Sequence, residues 1–492
     1  MENAVKKTDD RGCMSTPLLW LKNRWYGDGG YGEVLRIALP LIISTGTWSV
    51  QHFVDRMFLT WYSPVAIAAA LPAGILSFTI TCIFIGTASY VGTFVAQYHG
   101  VRQYERCGPS LWQGIYIALI GGVVMVMFIP LAGSIFRTIG HSPEIQECER
   151  VYFKILCFGA VPVIASSAMS AFFSGLGRTR PVMWVNIFAT VVNLMLDWLL
   201  IFGHWGFPEM GIAGAGIATV SAFYFNILVY LVLISRSSYA RKYATIKGWR
   251  FDRELFTRLI RFGLPSGVHF FIDIAGFTVF ILLIGRLGTV SLAASNIALN
   301  ISTLAFMPMI GMGIAISVLV GQHLGENRPE LAERATYSTF HLTFVYMTTI
   351  ALLYVICPGL FMKPFAAQAD PTQFAPIREL TVVLLRFVAL YCIFDAMNII
   401  FASAIKGAGD TRFVMFMIVV LSISVLILPS YATVVYLSMG IYSGWVFVTA
   451  YIIVLGMVFF FRFLGGKWKS MRVIEAGAVA VPPTFPESPT GE

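Results

Sequence analysis

Long apolar runs recur along almost the whole chain and leave only short connections between them. A helix that crosses the ~30 Å hydrocarbon core of a bilayer needs about 20 mostly apolar residues. The runs are apolar nearly all round, so their length and the charges that flank them define the spans better than helical periodicity does. They predict twelve spans, at residues 34–60, 64–98, 110–136, 152–175, 180–204, 211–235, 260–284, 290–324, 335–362, 378–405, 412–437 and 440–463.

The composition supports a membrane protein. Charged residues make up only 12% of the 492, whereas a soluble domain carries about a quarter. The sequence therefore predicts an all-α membrane protein with twelve transmembrane helices. We expect membrane lipids to solvate its surface and the protein to be a monomer.

Lysine and arginine residues concentrate in alternate connections. Connections after odd-numbered spans are nearly devoid of them, whereas the central connection, 236–259, contains Arg236, Arg241, Lys242, Lys247, Arg250, Arg253 and Arg258. By the positive-inside rule, both termini are expected to be cytoplasmic, in a bacterial inner membrane. This distribution also accounts for the net charge of +9, so we expect no nucleic-acid partner.

The two halves of the chain resemble each other. The run at 35–40, LRIALP, matches IRFGLP at 260–265, an offset of 225 residues. At the same offset lie the identical pairs Val65/Val290, Ala68/Ala293, Ala69/Ala294, Gln97/Gln322 and Gly100/Gly325. Parallel six-helix repeats predict two pseudo-twofold lobes with a binding site between them. The predicted divisions are an N-terminal segment (1–33), the N-lobe (34–235), a basic cytoplasmic linker (236–259), the C-lobe (260–465) and a partly disordered tail (466–492).

Only four acidic residues fall well inside the predicted spans: Asp55, Asp197, Asp273 and Asp395. Each costs about 2.5–3.5 kcal/mol at a helix centre. Such residues are expected to face the protein interior or a water-filled cavity and to have a function. The alternative is a structural ion pair, for which Arg56 is the only obvious basic partner at that depth.

In the N-lobe, Asn193 and Asp197 are four residues apart and share one helix face. An amide oxygen and a carboxylate are hard ligands that suit an alkali cation such as Na+ rather than a soft metal. Thr219, on the next span, is expected to add a hydroxyl oxygen unless it bonds back to its own helix.

In the C-lobe, His269 and Asp273 are also four residues apart. A histidine beside a carboxylate can bind or relay protons. The alternative is a packed histidine bonded to a backbone carbonyl. We include Asp395 in this C-lobe site for ions or substrate.

Several runs resemble the multidrug and toxic compound extrusion (MATE) transporters. They are ALPLIISTGTWSVQHFVDRMF at 38–58, SGLGRTRP at 174–181, GIAGAGIAT at 211–219, the long run at 292–335 and KGAGDTR at 406–412. Their order and spacing extend the likeness over about 34–465. The resemblance implies two six-helix lobes and the export of lipophilic, often cationic drugs in exchange for Na+ or H+.

The resemblance also implies site residues. Asp55 matches the family's first-helix aspartate, and Asn193, Asp197 and Thr219 resemble the rest of its N-lobe ion site. Asp273 and Asp395 match its acids on the seventh and tenth helices. Two departures stand out: Arg56 replaces a small polar residue, and Asp273 stands where the family often has glutamate.

Two other functions remain open from the sequence. A lipid-linked oligosaccharide flippase of the same superfamily would want a cationic cavity, whereas the embedded charge here is mostly acidic. An integral-membrane enzyme is less favoured, because the sequence contains no DDxxD, HExxH or Walker motif. We therefore expect a transporter that is not an enzyme and that needs no cofactor besides its coupling ion, for which Na+ is favoured over H+.

Overall fold

The structure, a computed structural model, describes residues 24–366 and 371–475. The first 23 residues and the tail from residue 476 lie outside the described residues. The described part contains no strand and is built from long helices. They are α1 (Tyr31–Tyr62), α2 (Pro64–Gly100), α3 (Cys107–Ile139), α4 (Pro143–Phe158 with Ala160–Gly175), α5 (Thr179–Phe202), α6 (Gly211–Ser235), α7 (Arg253–Gly285), α8 (Thr289–Gly325), α9 (Pro329–Ile356), α10 (Pro371–Ala408), α11 (Thr411–Tyr436) and α12 (Ile441–Leu464).

Each of the twelve predicted spans corresponds to one of these helices. Ten are long and apolar enough to cross a membrane, and α4, whose two parts are bent by 45°, is an eleventh. Helix α1 is the remaining one, and its middle is less apolar because it carries Ser44, Thr45, Thr47, Ser49, Gln51 and His52. The prediction of an all-α, twelve-helix membrane protein is confirmed.

The helices pack as two related sets, and the first two helices of each set contact helices of the other set. Helix α1 lies against α5 in its own half and against α8 in the other. In the same way, α7 lies against α11 in its own half and against α2 in the other. Since α7 and α8 are the repeat equivalents of α1 and α2, this exchange has the pseudo-twofold symmetry that the sequence repeat predicts.

The connection between the halves begins after α6. It contains a short helix, Ser237–Lys242, and a single turn, Lys247–Trp249. Helix α7 begins at Arg253, with the Asp252 side chain accepting a hydrogen bond from the backbone N–H of Leu255 at 3.1 Å. Residues 253–259 of the predicted linker are therefore the first two turns of α7.

The two halves meet closely where α2 and α8 end, at the face of the molecule that carries the described ends of the chain. We call this the terminal face. A Cβ atom on Gly100 would lie 2.3 Å from the carbonyl oxygen of Gln322, and one on Gly325 would lie 2.5 Å from that of Gln97. Only glycine permits two helix backbones to approach this closely. Both glycines are therefore required at this crossing.

Two glutamines at the same place bond the halves together. The Gln97 side-chain amide donates to the carbonyl of Gly407 at 3.1 Å, and that of Gln322 donates to the carbonyl of Gly175 at 2.8 Å. Gln97 also accepts a hydrogen bond from the backbone N–H of Val473 at 2.8 Å. The pairs that match at an offset of 225 in the sequence thus make equivalent contacts in the two halves.

Candidate functional site

Three of the predicted N-lobe residues lie together in the interior. Asp55 on α1 is 9% exposed, and Asn193 and Asp197 on α5 are fully buried. The carboxyl groups of Asp55 and Asp197 are close enough to interact directly, and Asn193 lies beside Asp197. Two neighbouring carboxylates repel each other unless a cation or a proton accompanies them.

Most polar side-chain atoms of this group lack a hydrogen-bond partner. Both side-chain oxygens of Asp197, both polar atoms of the Asn193 amide and Oδ1 of Asp55 have no hydrogen-bond partner among the described residues. Buried polar groups in proteins are nearly always paired, because an unpaired one costs about 1–3 kcal/mol. Oxygen atoms in this arrangement are a ligand set that a hard cation satisfies.

The fourth predicted N-lobe residue, Thr219, lies on the neighbouring helix. It is 8% exposed, on the part of α6 that packs along α5. Within the described part of the chain, its hydroxyl makes no hydrogen bond to its own helix, unlike that of Thr278 on α7, which donates to Ile274 at 2.8 Å. The structure therefore does not support a back-bonded threonine, and the role of Thr219 as a ligand stays a prediction.

Arg56, the one basic neighbour that the sequence suggested, acts on Asp55 through its charge but does not contact it. It is exposed, whereas Asp55 beside it is buried. Among the described residues, no ion pair joins Arg56 to Asp55. The turn of about 100° between successive helix residues separates the two side chains.

Sequence reasoning missed a polar ladder that extends from the N-lobe site. The Asn186 amide on α5 donates to the Ser44 hydroxyl on α1 at 2.5 Å, and the Asn226 amide on α6 donates to Asn186 at 3.2 Å. Asn186, Asn193 and Asp197 follow a spacing of seven and four, so they form one stripe along α5. That spacing was visible in the sequence and is the signal for this ladder.

The predicted C-lobe residues lie on two helices, α7 and α10. The His269 imidazole is 3.1 Å from the Asp273 carboxylate, one helical turn away. The side chain of Asp273 is 37% exposed and that of His269 15%. Asp395 on α10 is 7% exposed and accepts a hydrogen bond from the Asn398 amide at 3.2 Å. The alternative for His269, a bond to a backbone carbonyl, is wrong, because its partner is the carboxylate.

Lys406 corrects another expectation. The sequence placed it in a connection and left Arg56 as the only basic residue near the acids. In the structure Lys406 belongs to α10 and is half-buried. It interacts electrostatically with Asp273, and Asp273 also faces Asp395. No ion pair within 4 Å joins Lys406 to a carboxylate among the described residues. A long amphipathic side chain at a helix end can bury its stem and direct its amine inward.

The two carboxylate groups are therefore chemically different. Among the described residues, no cluster of three or more His, Cys, Asp and Glu side chains has a metal-binding arrangement. The N-lobe group has two carboxylates with neutral amide and hydroxyl oxygens, whereas the C-lobe group has two carboxylates with an imidazole and an amine. The first suits a hard cation, and the second suits a proton or an organic cation.

Twelve helices in two lobes related by a pseudo-twofold axis, with carboxylates inside each lobe, have the architecture of a membrane transporter. The chain belongs to the MatE family of MATE transporters: the family model matches residues 40–199 and 265–432. The two matched segments fall one in each lobe, so the sequence-based recognition of the family is confirmed.

Curated relatives cover most of the chain. The multidrug resistance protein PmpM of Pseudomonas aeruginosa is 30% identical over 394 residues, 78% of this chain and 80% of the relative. The multidrug resistance protein NorM of Aliivibrio fischeri is 25% identical over 379 residues, 77% of this chain and 81% of the relative.

Solved structures share the fold. A structure described as an outward-facing conformation of a multidrug resistance MATE family transporter superposes with a TM-score of 0.81. It is 19% identical and covers 90% of this chain and 98% of its own. A transporter of the same superfamily from Pyrococcus furiosus, described as having a binding pocket of reverse polarity, superposes with a TM-score of 0.80 at 19% identity.

Proposed function

We propose that the protein is a secondary active antiporter that exports lipophilic, often cationic drugs or toxins in exchange for Na+, with H+ as the alternative coupling ion. The observation that carries the proposal is the buried pair Asp55 and Asp197, which interact with each other and form no ion pair within 4 Å with a basic side chain among the described residues. Such a pair is stable in the membrane only when a small cation or a proton accompanies it. Names of the curated relatives, which are multidrug resistance proteins, support the export of drugs.

The ligand set favours Na+ over a proton. A proton needs one carboxylate, whereas Na+ prefers several oxygen ligands: Asn193 supplies a neutral oxygen beside Asp197, and Thr219 lies on the neighbouring helix α6. Binding of Na+ neutralises charge that is otherwise buried, so the ion binds one conformation of the lobe more tightly than another. That difference in affinity is what couples ion entry to a conformational change.

The conformational change involves α1 and the terminal face. Helix α1 contains Pro40 in its interior, where the missing N–H weakens the helix and permits a change of bend. Because α1 lies against α8 of the other half, a change in its bend is transmitted between the lobes. Opening of the terminal face requires the Gln97 and Gln322 hydrogen bonds to break. Alternating access then exposes the cavity to each side of the membrane in turn.

The orientation follows from the basic residues. We place the terminal face in the cytoplasm of a bacterial cell, with both ends of the chain inside, because the basic connections lie at that face. Drugs then enter from the cytoplasm or the inner leaflet, and ions enter from outside.

Efflux from everted membrane vesicles tests the proposal. A fluorescent lipophilic cation is followed while a Na+ gradient and a pH gradient are imposed separately. We expect the Na+ gradient to drive transport in the wild-type protein and not in Asp197→Asn, since the neutral amide cannot offset the charge of the ion. Equal transport by the Asp197→Asn variant would sink the role of this site.

A matched control separates loss of function from loss of folding. Glu144→Gln removes an exposed carboxylate at the start of α4, so it is expected to keep wild-type efflux. Insertion of each variant is checked by size-exclusion chromatography of the detergent-solubilised protein. If a pH gradient alone drives the wild-type protein, the coupling ion is H+ and the preference for Na+ is wrong.

A further inference from the structure

The connection between the lobes is attached along the first turns of α3. The Trp112 indole donates to the carbonyl of Thr245 at 2.7 Å, the backbone N–H of Gly108 donates to the carbonyl of Tyr243 at 2.9 Å, and the Tyr116 hydroxyl donates to the carbonyl of Trp249. These bonds hold residues 243–249 in a fixed position beside the end of a membrane-spanning helix.

The attachment places this segment at the level of the lipid headgroups. Helix α3 has 33 residues, a length of about 50 Å at 1.5 Å per residue. The hydrocarbon core is only about 30 Å thick, so the end turns of α3 extend into the headgroup region. Trp112 and Tyr116 are the kind of residues that are enriched at this depth.

Large apolar side chains of the same segment face outward. Ile246 is 54% exposed, Trp249 59% and Phe251 55%. Three such neighbours on one rigid segment would be unfavourable in water, whereas an aromatic ring at the membrane surface contacts both headgroups and acyl chains. The exposure of these residues indicates contact with lipid.

Beside these residues lies an open groove of about 510 Å³ with surplus positive charge. The basic residues Lys247, Arg250 and Arg253 line it, together with the acids Asp252 and Glu254. Both acids are compensated from outside the groove: Asp252 pairs with Arg106 at 3.3 Å and Glu254 with Arg258 at 3.1 Å.

The three basic residues of the groove are not compensated. In the described part of the chain, Lys247, Arg250 and Arg253 form no ion pair, and all three are exposed. Basic pockets at the cytoplasmic ends of transmembrane helices are suited to anionic headgroups. The charge and the shape of the groove therefore indicate that it binds an anion.

We propose that this groove binds the phosphate headgroup of an anionic phospholipid, with Ile246, Trp249 and Phe251 against its glycerol and acyl chains. Free phosphate has the same charge but no apolar part to contact these side chains, so the lipid is the occupant. A lipid bound there bridges α3 of the N-lobe and the start of α7 of the C-lobe. The site uses none of the membrane carboxylates, although its cytoplasmic location rests on the proposed orientation.

Native mass spectrometry of the purified full chain tests the site. The protein is offered dioctanoyl phosphatidylglycerol and dioctanoyl phosphatidylcholine at equal concentration. We expect preferential retention of phosphatidylglycerol, lowered on the order of a hundredfold in affinity by Lys247→Gln, Arg250→Gln and Arg253→Gln together, since each basic residue near a membrane surface contributes about fivefold.

A control with the same loss of charge uses Arg236→Gln, Arg241→Gln and Arg412→Gln, which are exposed basic residues outside the groove. It is expected to keep the preference, and an equal loss in this control would overturn the proposal. If the groove variant fails to fold, the charge-preserving Lys247→Arg, Arg250→Lys and Arg253→Lys variant decides: loss of preference there also counts against the proposal.

Two further measurements identify the occupant and separate the proposals. Trp249→Ser with Phe251→Ser is expected to weaken phosphatidylglycerol binding about tenfold, because a lipid covers only part of each ring, and to leave binding of soluble glycerophosphoglycerol unchanged. If the soluble headgroup binds as tightly as the lipid, the site is not a lipid site. The Asp197→Asn variant is expected to lose transport and keep the lipid preference, so failure of one proposal does not affect the other.

Discussion

The N-lobe and the C-lobe each carry two aspartates within their helices, but in different surroundings: both are buried in the N-lobe, whereas Asp273 of the C-lobe is partly exposed. Asp55 and Asp197 interact with each other, with the neutral amide of Asn193 beside Asp197 and the exposed Arg56 acting on Asp55 only through its charge. Asp273 and Asp395 share their region with His269, 3.1 Å from Asp273, and with the amine of Lys406. The C-lobe thus has the amine of Lys406 near its acids, whereas the N-lobe pair has no basic side chain within its interior among the described residues.

This difference did not come from the repeat itself. At the offset of 225 residues that relates the lobes, Asp55 corresponds to Phe280 and Asp273 corresponds to Trp48. The two lobes have equivalent folds, but the acids of one lobe do not occupy the repeat-equivalent positions of the other. We infer that the sites have different tasks: the N-lobe binds the coupling cation, and the C-lobe exchanges an external cation for its own.

The largest expected effect concerns Na+ binding. Asp197→Asn is expected to lower the affinity for radioactive sodium by about a hundredfold, equivalent to about 2.7 kcal/mol, because half of the negative charge of the site is lost. Asp273→Asn is expected to change it by less than about threefold. Equilibrium dialysis of the detergent-solubilised protein measures both. A larger loss from Asp273→Asn than from Asp197→Asn would reverse the assignment of the two lobes.

The second prediction concerns Lys406. Lys406→Met removes the internal amine near Asp273, so a cationic dye no longer competes with it. We expect the dye to bind about tenfold more tightly and to dissociate more slowly. A change of this size is consistent with the loss of one unit charge several ångströms away in a partly hydrated site. Lys406→Arg is the control and is expected to stay near wild type. Unchanged dye affinity in Lys406→Met would show that the amine does not reach the site.

A third, smaller effect is expected from the neutral oxygen ligands. Asn193→Ala and Thr219→Val are each expected to lower Na+ affinity about fivefold to tenfold, the loss of one neutral ligand, about 1–1.5 kcal/mol. Efflux driven by a pH gradient is expected to change less. Thr278→Val is the matched control, because Thr278 bonds to its own helix. An equal effect from Thr278→Val would point to general destabilisation.

The smallest effect on ion binding is expected for the polar ladder. Ser44→Ala removes the acceptor of the Asn186 amide, so we expect a lower melting temperature, with a loss of about 1 kcal/mol of stability, and nearly unchanged Na+ affinity. Thermal unfolding followed by a thiol-reactive dye and sodium binding are measured on the same sample. A clear drop in Na+ affinity would extend the ion site down α5 to Asn186.

The sequence predicted the architecture better than the details of the sites. Apolar length and flanking charge define spans because the bilayer imposes them. The offset of 225 residues predicted the pseudo-twofold halves, in which Gln97 and Gln322 make equivalent contacts. The acids stood out because charge is rare in an apolar helix. Whether Na+ or H+ is the coupling ion stays a prediction.

What the sequence could not predict depends on side-chain direction in three dimensions. Lys406 precedes a glycine-rich turn, GAGD, and reads as a connection, although α10 continues to Ala408. Asn186 and Asn226 are neutral and stand in long apolar runs, so their charge does not mark them, and only Asn186 is marked by its spacing from Asn193 and Asp197. Their pairing with Ser44 depends on which faces α1, α5 and α6 turn to one another, and nearly uniform apolar helices do not reveal those faces.

The close contact of α2 and α8 at Gly100 and Gly325 has a consequence for engineering. Each glycine lies under the backbone of the opposite helix, with no room for even a methyl group. An alanine at either position would act as a wedge that pushes the lobes apart at this face only. Such a substitution would shift the resting equilibrium toward conformations that are open at the terminal face, without altering any residue that contacts an ion or a drug. Spectroscopic labels on the two lobes would measure the size of that shift.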